Sequence, residues 1–382
     1  MSKRRLLGLA ALMLVASLVL AACGGGTGGG AGQADDDGPI TIGFISHLTG
    51  DAAVYGESMR MGTEVAVKEI NDAGGINGRP LEVVYEDDKL DANEAVAAAR
   101  RLIDQQGVPV ILGSASSSLS LAIAPIVDEA GVVQISPVST SPDLAAFDNV
   151  FMVMPSDAAQ GAAWADLAQR WGVEQAALMY INNDYGIGVK ENFKENFLAA
   201  GGVIVAEQGF AVGATDVRSE LLKVQQSGAD VVFLVSHVKE GVLVLTQARE
   251  LGLEATWVTD VAMQTQEVID LAGEAAEGLY AIQWGRTDHP AYEAFAEAFT
   301  QQHGRDVTIW ADFAYDTTRL VAEAIANAGT DPQAIADWLR SADGIEGATG
   351  PITMGEDGFR TAPGSYHLYQ VRDGQWVIAD DE

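Results

Sequence analysis

Hydroxyl side chains are concentrated in one short stretch of the chain, residues 111–125, ILGSASSSLSLAIAP. Its five serines are Ser114, Ser116, Ser117, Ser118 and Ser120. Such a cluster could supply a nucleophile, bind an anion at a helix N-terminus, cap a helix or form a polar loop. A nucleophile of the G-x-S-x-G type is disfavoured, because Ser118 stands where the second glycine would follow Ser116. Anion binding, capping and a plain loop remain.

Other enzyme signatures are absent from the sequence. The phosphate-binding pattern G-x-x-x-x-G-K-[ST] does not occur, and residues 185–188, YGIG, lack the third glycine of a dinucleotide-binding loop. The five histidines are scattered without an H-E-x-x-H pair, and Cys23 is the only cysteine. A disulfide is therefore excluded, and a thiol nucleophile or a zinc site is not expected. We predict a protein that is not an enzyme and uses no cofactor or metal.

Short apolar runs alternate with helical patterns from residue 39 onward. The runs are rich in Val and Ile and comprise residues 40–45, 81–85, 110–112, 132–135, 176–181, 203–206, 231–235, 256–258 and 280–284. They predict buried parallel strands, and their alternation with helices predicts an α/β fold. One helix should run from Met59 to Ala73 with Gly74 after its end, and another should begin at Asp91, which has capping-box spacing to Glu94.

Two parts of this pattern are irregular. Pro125 lies inside the helix predicted over residues 118–130 and should kink or shorten it. Near the C-terminus, residues 350–353 and 366–371 are expected to form antiparallel strands joined by a turn at residues 355–358.

Polar and aromatic side chains follow several of the predicted strands. They are the loop with Tyr55, the serine cluster, residues 136–140, residues 182–185, Ser236 with His237, and Asp260. Ligands of open parallel sheets bind beyond the carboxyl ends of the strands, so these residues are the candidate ligand contacts. If the two sheets belong to two lobes, their edges face each other across a cleft.

The N-terminus has the organisation of an exported lipoprotein. Basic residues 3–5 precede an apolar run over residues 6–20, and the small residues Ala21 and Ala22 precede Cys23. We predict a signal peptide over residues 1–22, a lipidated Cys23, and a flexible glycine-rich tether over residues 23–38. The formal net charge of −32 disfavours nucleic acid as a partner. The predicted location is outside the cytoplasm, anchored to the cell membrane by lipid.

Three motifs resemble those of the leucine/isoleucine/valine-binding protein family. They are the segment HLTGDAAVYGE at residues 47–57, NDAGGINGRP at 71–80 and ISPVSTSP at 135–142. The likeness is dense over residues 40–160 and continues to residue 376. Members of this family are substrate-binding lipoproteins or periplasmic proteins of ABC importers with the type I periplasmic-binding fold. The resemblance therefore implies two lobes, each a parallel-rich sheet flanked by helices, joined by a hinge of crossover strands.

The resemblance also assigns roles to individual residues. The implied ligand contacts are Tyr55, Ser117, Val138, Thr140, Tyr185, His237, Asp260 and Trp310. Ser117 would bind an α-carboxylate, and Thr140 would contact both the carboxylate and the ammonium. The carbonyl of Val138 would accept from the ammonium, and the aromatic residues would form walls. His237 replaces a frequent tyrosine, and Asp260 matches the ammonium-binding acid only with a one-residue gap.

Structural alternatives remain open for these residues. Ser117 and Asp260 could cap helices, the latter near Gln264; Thr140 could be a turn residue. Tyr55 and Tyr185 could pack between lobes. His237 could lie in a surface loop, and Trp310 could be a core residue. Asp157, by contrast, is interpreted as a helix cap at a lobe crossover and not as a ligand contact.

The predicted architecture assigns residues 39–155 and 285–348 to lobe 1, and residues 156–284 and 349–382 to lobe 2. The predicted function is binding of an amino acid, branched-chain or related, by hinge closure, followed by docking on the permease subunits of an ABC importer. Within that class the alternative is a urea, amide or aromatic-acid ligand. A surface hydrolase and a sensor ectodomain are the alternatives from other classes.

Overall fold

The computed structural model describes residues 38–50, 52–284, 290–361 and 366–379. The first sheet contains five parallel strands in the order β2-β1-β3-β4-β5: β1 Ile40–Ser46, β2 Leu81–Asp87, β3 Val110–Gly113, β4 Val133–Ser136 and β5 Val150–Met152. The order reverses between β1 and β3, and such a switch point is where open parallel sheets place ligands. The predicted signal peptide, Cys23 and tether lie outside the described residues, apart from Gly38.

Three helices alternate with the strands of the first sheet. They are α1 Ala53–Asp72, α2 Ala92–Arg101 with a π-helical turn at Leu102–Gln106, and α3 Ser117–Ala130. Asp91 caps α2 by accepting bonds from the N–H groups of Asn93 and Glu94, and Gly74 follows α1 with a φ of 103°. Both helix-end predictions are therefore confirmed.

The second sheet contains seven strands in the order β12-β11-β10-β9-β8-β6-β7. Its strands are β6 Gln175–Ile181, β7 Val203–Phe210, β8 Val231–Val235, β9 Thr256–Thr259, β10 Tyr280–Gln283, β11 His367–Arg372 and β12 Gln375–Ile378. Strands β6 to β10 are parallel, whereas β11 is antiparallel to both neighbours. The flanking helices are α4 Asp157–Arg170, α5 Asp184–Ala199, α6 Arg218–Ser227, α7 Val238–Glu250 and α8 Gln266–Ala272.

Three later helices return to the first sheet. They are α9 Pro290–His303, α10 Ala311–Ala328 and α11 Pro332–Arg340, of which α9 and α10 pack on α1 and α11 contacts β4. Gly62 permits the close α1–α10 approach, because a Cβ at that position would lie 1.9 Å from the carbonyl oxygen of Ala311. We call β1–β5 with α1–α3 and α9–α11 the first half, and β6–β12 with α4–α8 the second half.

The α/β fold with parallel-rich sheets flanked by helices is confirmed, and a strand forms in each of the nine predicted runs. The C-terminal prediction is wrong in its pairing. Strand β11 pairs with β12 across Asp373-Gly374, while residues 350–353 make only isolated bridges, such as Ile345 with Ile352. Strand β5 was not predicted.

The segment before β11 differs from the predicted lobe boundary at residue 348. Met152 of β5 donates its N–H to the carbonyl of Gly358 and accepts from the N–H of Arg360, each at 2.9 Å. Residues 349–361 therefore lie against the first half, because these bonds extend the open edge of β5. The predicted assignment of this segment to lobe 2 is corrected accordingly.

Helix α3 runs from Ser117 to Ala130 with Pro125 inside it. The proline has no N–H to offer the carbonyl one turn earlier, yet the helix is not shortened. Within the described part of the chain, no helix is both long and apolar enough to cross a membrane.

Candidate functional site

The candidate site lies between the two halves, at the carboxyl ends of the strands. A small cavity, here called the inner chamber, is lined by Ala115, Ser116, Ser117, Val138, Thr140, Met154, Tyr185, His237, Val261, Ala262 and Trp310. Six of the eight predicted contacts are among these residues. Asp260 directly precedes Val261, and Tyr55 lines the adjoining cavity. The structure thus brings all eight predicted residues together.

A larger cavity, the outer chamber, adjoins the inner one. It is bordered by 17 residues, among which Val54, Leu90, Val212, Val242, Leu271 and Trp310 supply much of the apolar surface. Its volume is about 410 Å³, against about 20 Å³ for the inner chamber. Both halves contribute to each chamber.

The N-terminus of α3 points at the inner chamber. Ser116 occupies the cap position, but its side chain makes no capping bond. The hydroxyl of Ser117 accepts from the N–H of Thr140 at 3.3 Å, so its own proton remains available to a ligand oxygen. Together with the free N–H groups of the first helical turn, Ser117 forms a suitable anion-binding group.

The neighbouring serines have structural roles. The carbonyl oxygen of Ser114 accepts bonds from the hydroxyls of Ser120, Ser136 and Ser139 at 2.7–3.1 Å. The hydroxyl of Ser114 in turn donates to Asp88 at 2.7 Å. These buried bonds fix the loop that carries Ser117. These hydroxyl groups therefore support the loop from which Ser117 lines the inner chamber.

Aromatic rings from both halves form the wall of the site. Tyr55 stacks on Trp310 with ring centroids 4.7 Å apart, and Tyr185 stacks on His237 at 6.0 Å. The hydroxyl of Tyr55 accepts from the N–H of Val238, the first residue of α7, at 2.9 Å. Tyr55 belongs to the first half and Val238 to the second, so this bond joins the two halves across the site.

Two of these aromatic residues have unusual local features. Trp310 adopts a left-handed conformation with a φ of 62°, which is uncommon for a bulky residue and directs the chain into α10. Burial lowers the pKa of His237 to about 4, so its ring is neutral at pH 7. Because the amide nitrogen of Asn183 donates to its Nε2 at 3.2 Å, the ring proton resides on Nδ1.

Two buried carboxyl groups lie on the second-half side of the inner chamber. Asp260 accepts from the N–H groups of Ser236 at 2.7 Å, Ala262 at 2.9 Å and Met263 at 3.2 Å. Burial raises its pKa to about 7, and these three bonds oppose the rise. It does not cap the helix near Gln264, because the N-cap of α8 is Thr265.

Asp157 was missed as a site residue. The cap of α4 is Ser156, and Asp157 is its first residue, fully buried with neither carboxyl oxygen hydrogen-bonded to the protein. Burial raises its pKa to about 8; the nearby Thr140 hydroxyl opposes the rise, and Asp260 adds to it. Burial raises the pKa of Tyr185, and both acids add to this rise. The sequence carried no sign of this beyond an acid at a helix start.

Several polar atoms of this region, including those of Asp157, are buried without a hydrogen-bond partner in the protein. They are Oγ1 of Thr140, both carboxyl oxygens of Asp157, Nε2 of Gln160, the hydroxyl of Tyr185, Nδ1 of His237 and Nε1 of Trp310. An unsatisfied buried polar group costs about 1–3 kcal/mol, so native proteins rarely concentrate them. Their concentration here indicates a site for a ligand that both donates and accepts hydrogen bonds.

Comparison with known proteins places the chain in a family. The sequence model for periplasmic binding proteins matches residues 39–375, and the chain belongs to that family. The predicted resemblance is thereby confirmed. A leucine-, isoleucine-, valine-, threonine- and alanine-binding protein of Pseudomonas aeruginosa is 30% identical over 324 residues, covering 84% of this chain and 86% of the relative.

Solved structures give the same result. The branched-chain amino acid transporter substrate-binding protein LivJ of Streptococcus pneumoniae, in complex with isoleucine, is 28% identical with a TM-score of 0.82 and covers 89% of this chain and 100% of its own. The leucine-binding protein LivK of Thermotoga maritima is 27% identical with a TM-score of 0.83 and covers 89% and 97%.

Proposed function

We propose that this chain is the substrate-binding protein of an ABC importer and binds an amino acid between its two halves. The observation that carries the proposal is the set of unpaired buried donors and acceptors around the inner chamber, above all the carboxyl group of Asp157. A free amino acid supplies a carboxylate and an ammonium to these groups. The relatives named above bind leucine, isoleucine and similar amino acids.

The ligand carboxylate is proposed to lie at Ser117 and Thr140. The free proton of the Ser117 hydroxyl, the unpaired hydroxyl of Thr140 and the N-terminus of α3 are suitable donors. The carbonyl of Val138 is assigned to the ammonium on the family resemblance.

The ammonium is proposed to lie near Asp260 and Asp157. Burial raises the pKa of both acids to near neutral pH, and Asp260 adds to the rise at Asp157, so a neighbouring cation stabilises both ionised forms. This pair favours a ligand with an ammonium over a urea, an amide or an aromatic acid. Tyr185, His237, Tyr55 and Trp310 then enclose the ligand.

Closure is proposed to be a hinge movement of two lobes, residues 39–155 and 290–361 against residues 156–284 and 366–379. Two hydrogen bonds between the halves support this proposal. They are the Val238–Tyr55 bond and a bond from the Ser118 hydroxyl to Asp184 at 2.5 Å. A ligand that contacts both halves stabilises the closed arrangement by its higher affinity for it. The closed form would dock on the importer's permease subunits, and the protein would catalyse no reaction.

The protein is further proposed to be held at the outer face of the cell membrane by lipid on Cys23. The basic, apolar and small-residue order of residues 3–23 supports this proposal. In cells, Cys23→Ala should move the protein from the membrane fraction to the soluble fraction and abolish incorporation of labelled fatty acid. An unchanged membrane fraction would refute the anchor.

A ligand panel tests the binding function. The purified protein is melted with amino acids, amides, urea and aromatic acids, and a true ligand at 100 times its Kd should add about 2.7 kcal/mol of stability. Asp260→Asn and Asp157→Asn should each abolish the shift caused by amino acids. The proposed function is refuted if no amino acid raises the melting temperature at millimolar concentration.

A further inference from the structure

The inner chamber has no room for a ligand side chain. Its volume of about 20 Å³ corresponds to little more than a water site. Val138, Met154 and Val261 are among its lining residues, and all three are buried. A ligand whose head group lies at Ser117 must therefore direct its side chain elsewhere.

The outer chamber is the space next to the head group. Ala115, Ser116, His237 and Trp310 line both chambers, so the two cavities adjoin each other at these residues. The outer volume is about 410 Å³. A cavity of about 150 Å³ is sufficient to hold a benzene molecule, so this chamber exceeds the needs of an aliphatic side chain with four carbons.

Exposed aliphatic side chains are gathered around the outer chamber. Val54, Leu90, Val212 and Leu271 are 36%, 38%, 48% and 60% exposed and come from four separate segments of the two halves. Isolated exposed aliphatic residues are common, but a converging group of them marks a binding surface. They converge on a cavity that adjoins the proposed head-group site.

The backbone at Leu90 supports the same conclusion. Leu90 and Lys89 have φ values of 58° and 51°, a left-handed conformation that residues other than glycine rarely adopt. Asp87 and Asp88 hold this turn by accepting from the N–H groups of Lys89 and Leu90 at 3.0 and 2.9 Å. An unfavourable conformation is thus maintained, and the leucine it carries borders the chamber.

The charged residues that border the outer chamber do not fill its apolar part. Lys239 is exposed, and Glu240 accepts from the N–H of Gly213 at 2.7 Å. Glu267 is half-buried. A mostly apolar chamber with a few polar groups suits a large ring that carries an N–H or a hydroxyl.

We propose that the preferred ligand is an α-amino acid with an apolar side chain larger than that of leucine, of the aromatic class, and that this side chain occupies the outer chamber. The inference rests on the proposed function, since it takes the amino-acid head group as given. It goes beyond the comparisons, whose named ligands include leucine and isoleucine.

Isothermal titration of the purified protein with alanine, valine, leucine, isoleucine, phenylalanine and tryptophan tests this proposal. Phenylalanine or tryptophan should bind at least threefold more tightly than leucine. Leu271→Ala, on the exposed side of α8, should weaken phenylalanine and tryptophan binding by about four- to fifteen-fold, as expected for lost contact with one or two methylene groups. Alanine binding should not change in this variant.

Two further variants sharpen the test. Leu198→Ala is the matched control, because Leu198 is also an exposed leucine on a helix (46%) and does not border the chamber. It should alter no affinity. Val212→Trp should fill part of the outer chamber and weaken tryptophan binding tenfold or more while leaving alanine binding intact.

The proposal is overturned if leucine or isoleucine binds more tightly than both aromatic amino acids, or if Leu271→Ala weakens alanine and phenylalanine equally. If no amino acid binds, the head-group assignment fails, and the proposed function fails with it. Leucine binding without an aromatic preference refutes only the present inference.

Discussion

Removing the Tyr55 hydroxyl should open the protein without dismantling the site. In Tyr55→Phe the ring can keep its stacking on Trp310 at 4.7 Å, whereas the N–H of Val238 loses its acceptor. That N–H belongs to the first turn of α7 and has no partner within the helix. Val238 is 4% exposed, so in the closed arrangement the N–H would be buried and unpaired.

The expected loss of affinity follows from the cost of the unpaired Val238 N–H, which differs between the closed and the open arrangement. An unpaired buried N–H costs about 1–3 kcal/mol, and the cost is absent when opening exposes the group to water. The closed arrangement should therefore be disfavoured by that amount, and ligand affinity should fall about 5- to 150-fold. Titration calorimetry measures the affinity, and small-angle scattering should show a larger radius of gyration at a given ligand concentration.

Tyr315→Phe is the matched control. Its hydroxyl donates to Glu69 at 2.6 Å, and both residues belong to the first half. This variant loses the bond to Glu69 and a bond from Arg319, neither of which crosses between the halves, so it should lower stability and leave affinity unchanged. Our reasoning is refuted if Tyr55→Phe changes affinity less than twofold, or if Tyr315→Phe weakens binding to the same extent.

Three further predictions concern other parts of the structure. Because burial raises the pKa of Asp157 to about 8 and that of Asp260 to about 7, the native protein holds protons that the unfolded chain releases near pH 4. Stability without ligand should therefore fall as pH rises from about 5 to 9, by up to about 1.4 kcal/mol per pH unit for each carboxyl. Denaturant unfolding should show a flatter slope between pH 7 and 8.5 in Asp157→Asn, and an unchanged slope would contradict the assignment. Gly62→Ala should destabilise the protein by about 3 kcal/mol in the same assay, since its Cβ would lie 1.9 Å from the Ala311 oxygen; a loss below 0.5 kcal/mol, within about the range of surface substitutions, would argue against that packing. Ser118→Ala removes an exposed bond to Asp184 and should weaken ligand binding less than threefold by calorimetry, and a larger effect would make that bond as important as the one at Tyr55.

Local sequence patterns predicted the order of strands and helices, because each element shows its hydrophobic period within a short stretch of sequence. The runs at residues 40–45 and 231–235 became β1 and β8. Tyr55 lies in the first turn of the helix that follows β1, and His237 lies in the loop after β8. Those residues converge because parallel strands all end at one edge, a rule that needs no knowledge of distant contacts. Strand β5, with only three residues, is too short to show a period.

Long-range packing determined what the sequence could not predict. Asp157 follows a serine at a helix start, as a capping acid does, and only the packing of the two halves makes it a buried acid without a partner. The pairing of β11 with β12 did have a local signal, because Asp373-Gly374 is a recognised hairpin turn. The alternative turn at residues 355–358 competed with it and belongs instead to the contact with β5.

The unpaired polar groups around the inner chamber also determine how often the empty protein closes. If only two of them lose their water on closure, at about 1–3 kcal/mol each, the closed empty form falls to a few per cent of the population or less. An importer that recognises the closed form would then rarely encounter an unloaded carrier. The same atoms that hold the ligand would thereby limit futile cycles of ATP hydrolysis.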